Sequence, residues 1–114
     1  MTVAEVAGNG RGEANEYVDI EIITTDSGFR GPSTLVGMSD AVLALGGGAG
    51  TLQEIAVAYR MQKPIILLKG FGGWVDKLVD PYLDERQLIP FIATNNLEEA
   101  VEQTINEAKR IRNS

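Results

Sequence analysis

Short uninterrupted apolar runs alternate along this chain with longer stretches in which apolar residues return every three or four positions. A run such as Ala41-Val42-Leu43-Ala44-Leu45 suits a strand covered on both faces, whereas the three-to-four period suits a helix with one buried side. Strands are therefore expected over residues 2–7, 18–24, 41–45, 64–68 and 90–93, each bounded by glycine, proline or a polar cluster. Helices are expected over residues 33–38, 51–62, 74–87 and 97–112, with Asn96 or Asn95 capping the last. That last helix would align Leu97, Ala100, Val101, Ile105, Ala108 and Ile111 on one face. Asp80-Pro81 interrupts the third helix, and the residue before proline resists helical geometry, so a kink or two short pieces fit as well as one straight element. The alternation defines an α/β chain: a parallel sheet of about five strands with helices packed on its faces.

With 114 residues, 44% hydrophobic and 23% charged, the chain has a globular composition, and one domain over residues 1–114 is expected. Sixteen acidic against ten basic residues leave a net charge of −6, the wrong sign for gripping nucleic acid through its phosphates. An anionic ligand must be held locally. Cysteine and histidine are both absent, which removes disulfides, thiolate nucleophiles, Ser-His-Asp catalysis and imidazole metal sites. Carboxylates, lysine, tyrosine, water and backbone are left to do chemistry. Asp76 and Asp80 stand four apart without a clear third ligand, so no metal is expected. No apolar run is long enough to span a bilayer and the start lacks a basic signal region, so no membrane partner and a cytoplasmic location are expected.

Three loops are rich in glycine. In the most informative one a buried strand runs through Gly46-Gly47-Gly48-Ala49-Gly50 into an amphipathic helix beginning Thr51-Leu52-Gln53-Glu54. Glycines permit positive φ and close backbone approach, and the free N–H groups and positive end of the following helix attract an anion such as phosphate. The lysine and hydroxyl residue of a nucleoside-triphosphatase P-loop are missing, and Thr51 stands where the third glycine of a dinucleotide fingerprint would be. A second reading of the same residues is a tight turn followed by a capping box, in which the Thr51 hydroxyl accepts from the Glu54 N–H and the Glu54 carboxylate accepts from the Thr51 N–H. The loop Gly8-Asn9-Gly10-Arg11-Gly12 follows the first strand, which would put it at the carboxyl edge of the sheet where ligands collect, with Gly8 a candidate binding residue. The alternative there is a plain turn with a solvated Arg11. Gly70-Phe71-Gly72-Gly73-Trp74 falls at the same edge, where Phe71 or Trp74 could stack on a base or pterin, or Trp74 could pack in the core or an interface. Glu98, Glu99, Glu102 and Glu107 with Lys109, Arg110 and Arg112 give the last helix a solvated surface that suits its dipole.

Around the Gly46 loop the sequence resembles the lysine-decarboxylase-like or Lonely-guy (LOG) proteins, and most nearly their molybdenum-cofactor carrier branch. The family pattern Pro-Gly-Gly-x-Gly-Thr-x-x-Glu is met from Gly46 to Glu54 at every fixed position except the first, where Gly46 replaces proline. Ala14-Asn15-Glu16-Tyr17-Val18-Asp19, Ser39-Asp40-Ala41, Gln62-Lys63-Pro64-Ile65, Gly72-Gly73-Trp74 and Glu98-Glu99-Ala100 extend the likeness over most of the chain. The resemblance implies a Rossmann-like sheet, a homodimer or tetramer, and a nucleoside monophosphate or molybdopterin-type ligand. It would place the ligand phosphate on Gly46, Gly47, Gly48, Ala49, Gly50 and Thr51. Characterised relatives are phosphoribohydrolases acting on nucleoside 5′-monophosphates, so Glu54 would stabilise the oxocarbenium-like centre formed as the N-glycosidic bond breaks.

The hydrolase branch also carries Met-x-x-Arg-Lys ahead of the Ser-Asp-Ala strand. This chain has no such pair; Arg30, the lone arginine there, is the second catalytic candidate, or else an arginine that covers surface. Family members are longer at the amino terminus, so the fold is expected to be amino-terminally short, its exposed sheet edge covered by a partner chain. Three functions follow: a phosphate- or nucleotide-binding protein, which we prefer; a phosphoribohydrolase using Glu54; or a ligand-free interaction remnant of the fold.

Overall fold

The apolar runs assemble into one five-stranded sheet of order β1-β2-β3-β4-β5, formed by Thr2–Ala7, Tyr17–Ile23, Ala41–Leu45, Ile65–Leu68 and Phe91–Thr94. The structure is a computed structural model that describes residues 2–7, 17–24 and 37–114. Strands β2 to β5 are parallel, with Ile20 beside Ala41, Leu43 beside Ile66 and Ile66 beside Ile92. With α1 (Ala49–Arg60), α2 (Gly73–Lys77) and α3 (Leu97–Arg112) around them, they form a Rossmann-like α/β fold.

One strand corrects the all-parallel expectation. β1 runs antiparallel to β2, with Thr2 opposite Ile22 and Ala7 opposite Tyr17. Residues 8–16 are too few for the crossover of about a dozen or more residues that a parallel pair needs, whereas antiparallel neighbours accept a short connection. Ala7 consequently stands at the amino-terminal edge of the parallel strands, opposite the edge where the loop after β1 was expected. Gly8 and Arg11 themselves lie outside the described residues, as do Arg30 and the first four positions of the expected helix 33–38; Gly37 and Met38 are helical.

The strands are covered on both sides because successive side chains alternate between faces. Val42, Ala44, Ile65 and Leu67 pack with Ile55, Ala58 and Tyr59 of α1 and Val75 of α2. Ala41, Leu43, Ile66 and Leu68 turn the other way, toward Ala100 and Ala108 of α3. Asn96 caps α3 as its sequence suggests, its side chain accepting from the Glu99 N–H at 2.8 Å. The buried stripe is Ala100, Thr104 and Ala108, with the Thr104 hydroxyl donating to the Ala100 carbonyl at 2.6 Å. Leu97 and Val101 from the expected face are instead 59% and 41% exposed. Small residues let the helix sit close on the sheet, which rotates the larger ones outward. Arg112 also departs from the solvated surface expected of it, pairing with Asp40 at 2.8 Å and Asp19 at 3.3 Å and tying the end of α3 to β2 and β3.

The helix expected over 74–87 ends at Lys77, well before Pro81. Residues 78–90 are irregular yet anchored. The Tyr59 hydroxyl, fully buried, donates to Asp84 Oδ1 at 2.9 Å and accepts from the Leu88 N–H at 3.0 Å. The Phe91 N–H at the start of edge strand β5 donates to the Pro81 carbonyl at 2.7 Å, and Leu78, Leu83, Leu88 and Ile89 pack on the core. Among the described residues no helix is long and apolar enough to cross a membrane.

Candidate functional site

Parallel strands deliver their following loops to one edge, and two of those loops meet here. The central one leaves β3 through Gly46 and Gly47, at φ 61° and 83°, the left-handed region that favours glycine. Gly48 then caps α1 without a side-chain hydrogen bond, its carbonyl accepting from the Leu52 N–H at 3.1 Å. The helix thus begins at Ala49, two residues earlier than expected. Thr51 becomes its third residue rather than its cap, so the capping box does not form. Its buried side chain instead lies over Gly47, where an added Cβ would overlap it.

This arrangement leaves the N–H groups at the start of α1, from Gly48 to Gly50, without backbone partners among the described residues, and Ala49 and Gly50 are exposed to solvent. One turn further along the helix, Glu54 is only 6% exposed, and its Oε2 has no hydrogen-bond partner among the described residues. A buried carboxylate oxygen without a partner is costly, because water that would solvate it has been removed. Gly46, Gly47, Gly48, Ala49, Gly50, Thr51 and Glu54 are therefore brought together in one turn and helix start. Among the described residues no group of three or more Asp or Glu side chains is placed to hold a metal.

The Gly70 loop after β4 braces the Gly46 loop, a contact the sequence does not announce. The first N–H groups of α2 are satisfied by the glycine turn: Trp74 donates to the Gly47 carbonyl at 2.9 Å and Val75 to the Gly46 carbonyl at 3.3 Å. Gly73, at φ 66°, lies directly against Gly46 and Gly47, its would-be Cβ 2.6 Å from the Gly47 nitrogen. Asp76, weighed from sequence only as a metal ligand, instead holds the turn together, its carboxylate accepting from the Gly70 N–H at 2.9 Å and the Gly72 N–H at 2.8 Å. Lys69 closes the other end of α2, donating to the carbonyls of Val75 and Leu78 at 2.6 Å each. The signal available in sequence was an acid placed just after a Gly-x-Gly-Gly turn, a spacing that lets one carboxylate reach two turn amides.

The Gly70 and Gly72 N–H groups hold the Asp76 carboxyl below its ordinary value of 3.8. A group whose folded value is depressed stabilises the fold above its unfolded value and loses that contribution as the pH falls through the folded one. We therefore expect the amide NMR signals of Gly70 and Gly72 to titrate together with a midpoint below 3.8, flat above the carboxylate range. The transition should vanish in Asp76→Asn; its persistence there would assign it to another acid.

With the geometry established, comparison with known proteins gives three matches. The family model described as LDcluster4, the SLOG cluster4 family, matches residues 2–104. An uncharacterized protein of Archaeoglobus fulgidus is 42% identical over 55 residues, 48% of this chain and 36% of that protein. The X-ray structure of TM1055 superposes with a TM-score of 0.58 at 40% identity, covering 63% of this chain and 45% of that one. The matched region spans less than half the length of either relative.

Proposed function

This chain belongs to the SLOG cluster4 family, and from that membership we propose that it binds a phosphorylated ligand of nucleotide type, the phosphate resting against the first turn of α1. The carrying observation is that the N–H groups of Gly48, Ala49 and Gly50 reach no backbone carbonyl, and the buried Oε2 of Glu54 one turn along has no partner, among the described residues. The N–H groups and the helix dipole suit a phosphate, and the carboxylate one turn along suits a hydroxyl of the sugar or pterin part of the ligand. A net charge of −6 makes general electrostatic capture of an anion unfavourable, which puts the attraction on these local donors. A nucleoside monophosphate and a molybdopterin-type ligand both present a phosphate monoester, so the cradle suits either.

The reading is tested by backbone-amide NMR titration with adenosine 5′-monophosphate, with adenosine as the control lacking phosphate. Shifts at Gly47 to Thr51 with the monophosphate alone are expected; shifts with both compounds, or with neither, would overturn a phosphate cradle for this ligand. Glu54 also favours a second reading, a phosphoribohydrolase in which its carboxylate stabilises the positive charge developing on the ribose as the base departs. Free adenine appearing in the same tube over a day would mark that activity.

A further inference from the structure

The turn that braces the cradle carries two aromatic side chains, and they have different surroundings. Trp74 is half-buried, its backbone N–H is committed to the Gly47 carbonyl, and the Lys77 ammonium lies 5.0 Å over its ring. Phe71 is 60% exposed. Its backbone nevertheless adjoins the glycine turn, the Phe71 carbonyl oxygen lying 3.5 Å from where a Cβ on Gly46 would sit. Both neighbours of Phe71 are held, since the Gly70 and Gly72 N–H groups donate to the one Asp76 carboxylate.

A large apolar ring kept in water by a turn fixed on both sides adds nothing to the core, and because its backbone adjoins the glycine turn, its apolar area is available to a ligand held there. Resting on the phosphate-binding reading above, we propose that Phe71 is the platform on which the aromatic heterocycle of the ligand stacks. The site then discriminates phosphorylated heterocycles from phosphosugars of the same charge, because every base or pterin offers a flat π-face and a bare sugar phosphate does not.

The test compares adenosine 5′-monophosphate with ribose 5-phosphate on wild type, Phe71→Ala and Phe71→Tyr. Wild type should prefer the nucleotide. Phe71→Ala should weaken nucleotide binding on the order of tenfold, leave ribose 5-phosphate binding unchanged and keep the amide spectrum intact outside residues 70–74. Phe71→Tyr should restore the preference. Equal affinity of wild type for the two ligands, or parallel losses for both in Phe71→Ala, overturns the stacking role while leaving the phosphate cradle standing. Binding of neither ligand to wild type overturns the cradle, and the stacking role with it.

Discussion

Gly73→Ala should lower stability by roughly 2–4 kcal/mol, among the largest effects of any single methyl added to this protein. Gly73 sits at φ 66°, a conformation that disfavours an L side chain, and its Cβ would press into Gly46 and Gly47. The obstacles are backbone atoms of a turn that is itself left-handed at two successive residues, so no side chain can rotate away. Relief requires moving α2 off the glycine turn, which breaks the Trp74 and Val75 hydrogen bonds to the Gly47 and Gly46 carbonyls. Denaturant unfolding of Gly73→Ala beside Gly70→Ala isolates the contact. Gly70 also has a positive φ, 104°, but an added Cβ there meets nothing within 4 Å. The Gly70 change should therefore cost only the conformational part, about 1–2 kcal/mol. Equal losses in the two variants would mean that the meeting of the loops does not constrain the fold.

Glu54→Leu should stabilise the ligand-free protein, by about 1–3 kcal/mol, because it removes a buried oxygen that no described residue satisfies and keeps a similar volume against the core. Most substitutions at a buried position destabilise, so a gain would identify Glu54 as a residue retained at the expense of stability, as functional groups commonly are. The companion change Glu54→Gln preserves shape and removes the negative charge. It should abolish any release of adenine from adenosine 5′-monophosphate while leaving the amide shifts at Gly47 to Thr51 largely intact. A Glu54→Leu protein less stable than wild type would show that the carboxylate serves the fold; undiminished adenine release in Glu54→Gln would remove it from the chemistry.

The fold was legible where the chain is uninterruptedly apolar or carries a decisive local signal. β3 and β4 read clearly because both of their faces are buried, leaving no polar alternation to blur the pattern. The start of α3 read clearly because Asn96 supplies a side-chain acceptor for the Glu99 N–H. Legibility failed where a local pattern had two solutions. Residues 78–87 have enough leucine for a helix, but the demands of Pro81 and of the Tyr59 hydroxyl on Asp84 and Leu88 hold them irregular. Leu97 and Val101 fit the helical face equally well, but Ala100, Thr104 and Ala108 allow the closer approach to the sheet.

The site divides along the same line. By itself the sequence determined the α/β class, the parallel core strands, the glycine turn from Gly46 and the helix that starts from it, since each rests on residues adjacent in the chain and on the conformations those residues permit. Only the tertiary structure decided that β1 runs antiparallel and that Thr51 covers Gly47 instead of capping α1. It also decided that Gly73 and Asp76 brace the cradle from a loop more than twenty residues away in the chain. Those outcomes depend on which loops the parallel strands bring to one edge, and backbone contact at that edge is set by strand order and register, which no local run of residues encodes.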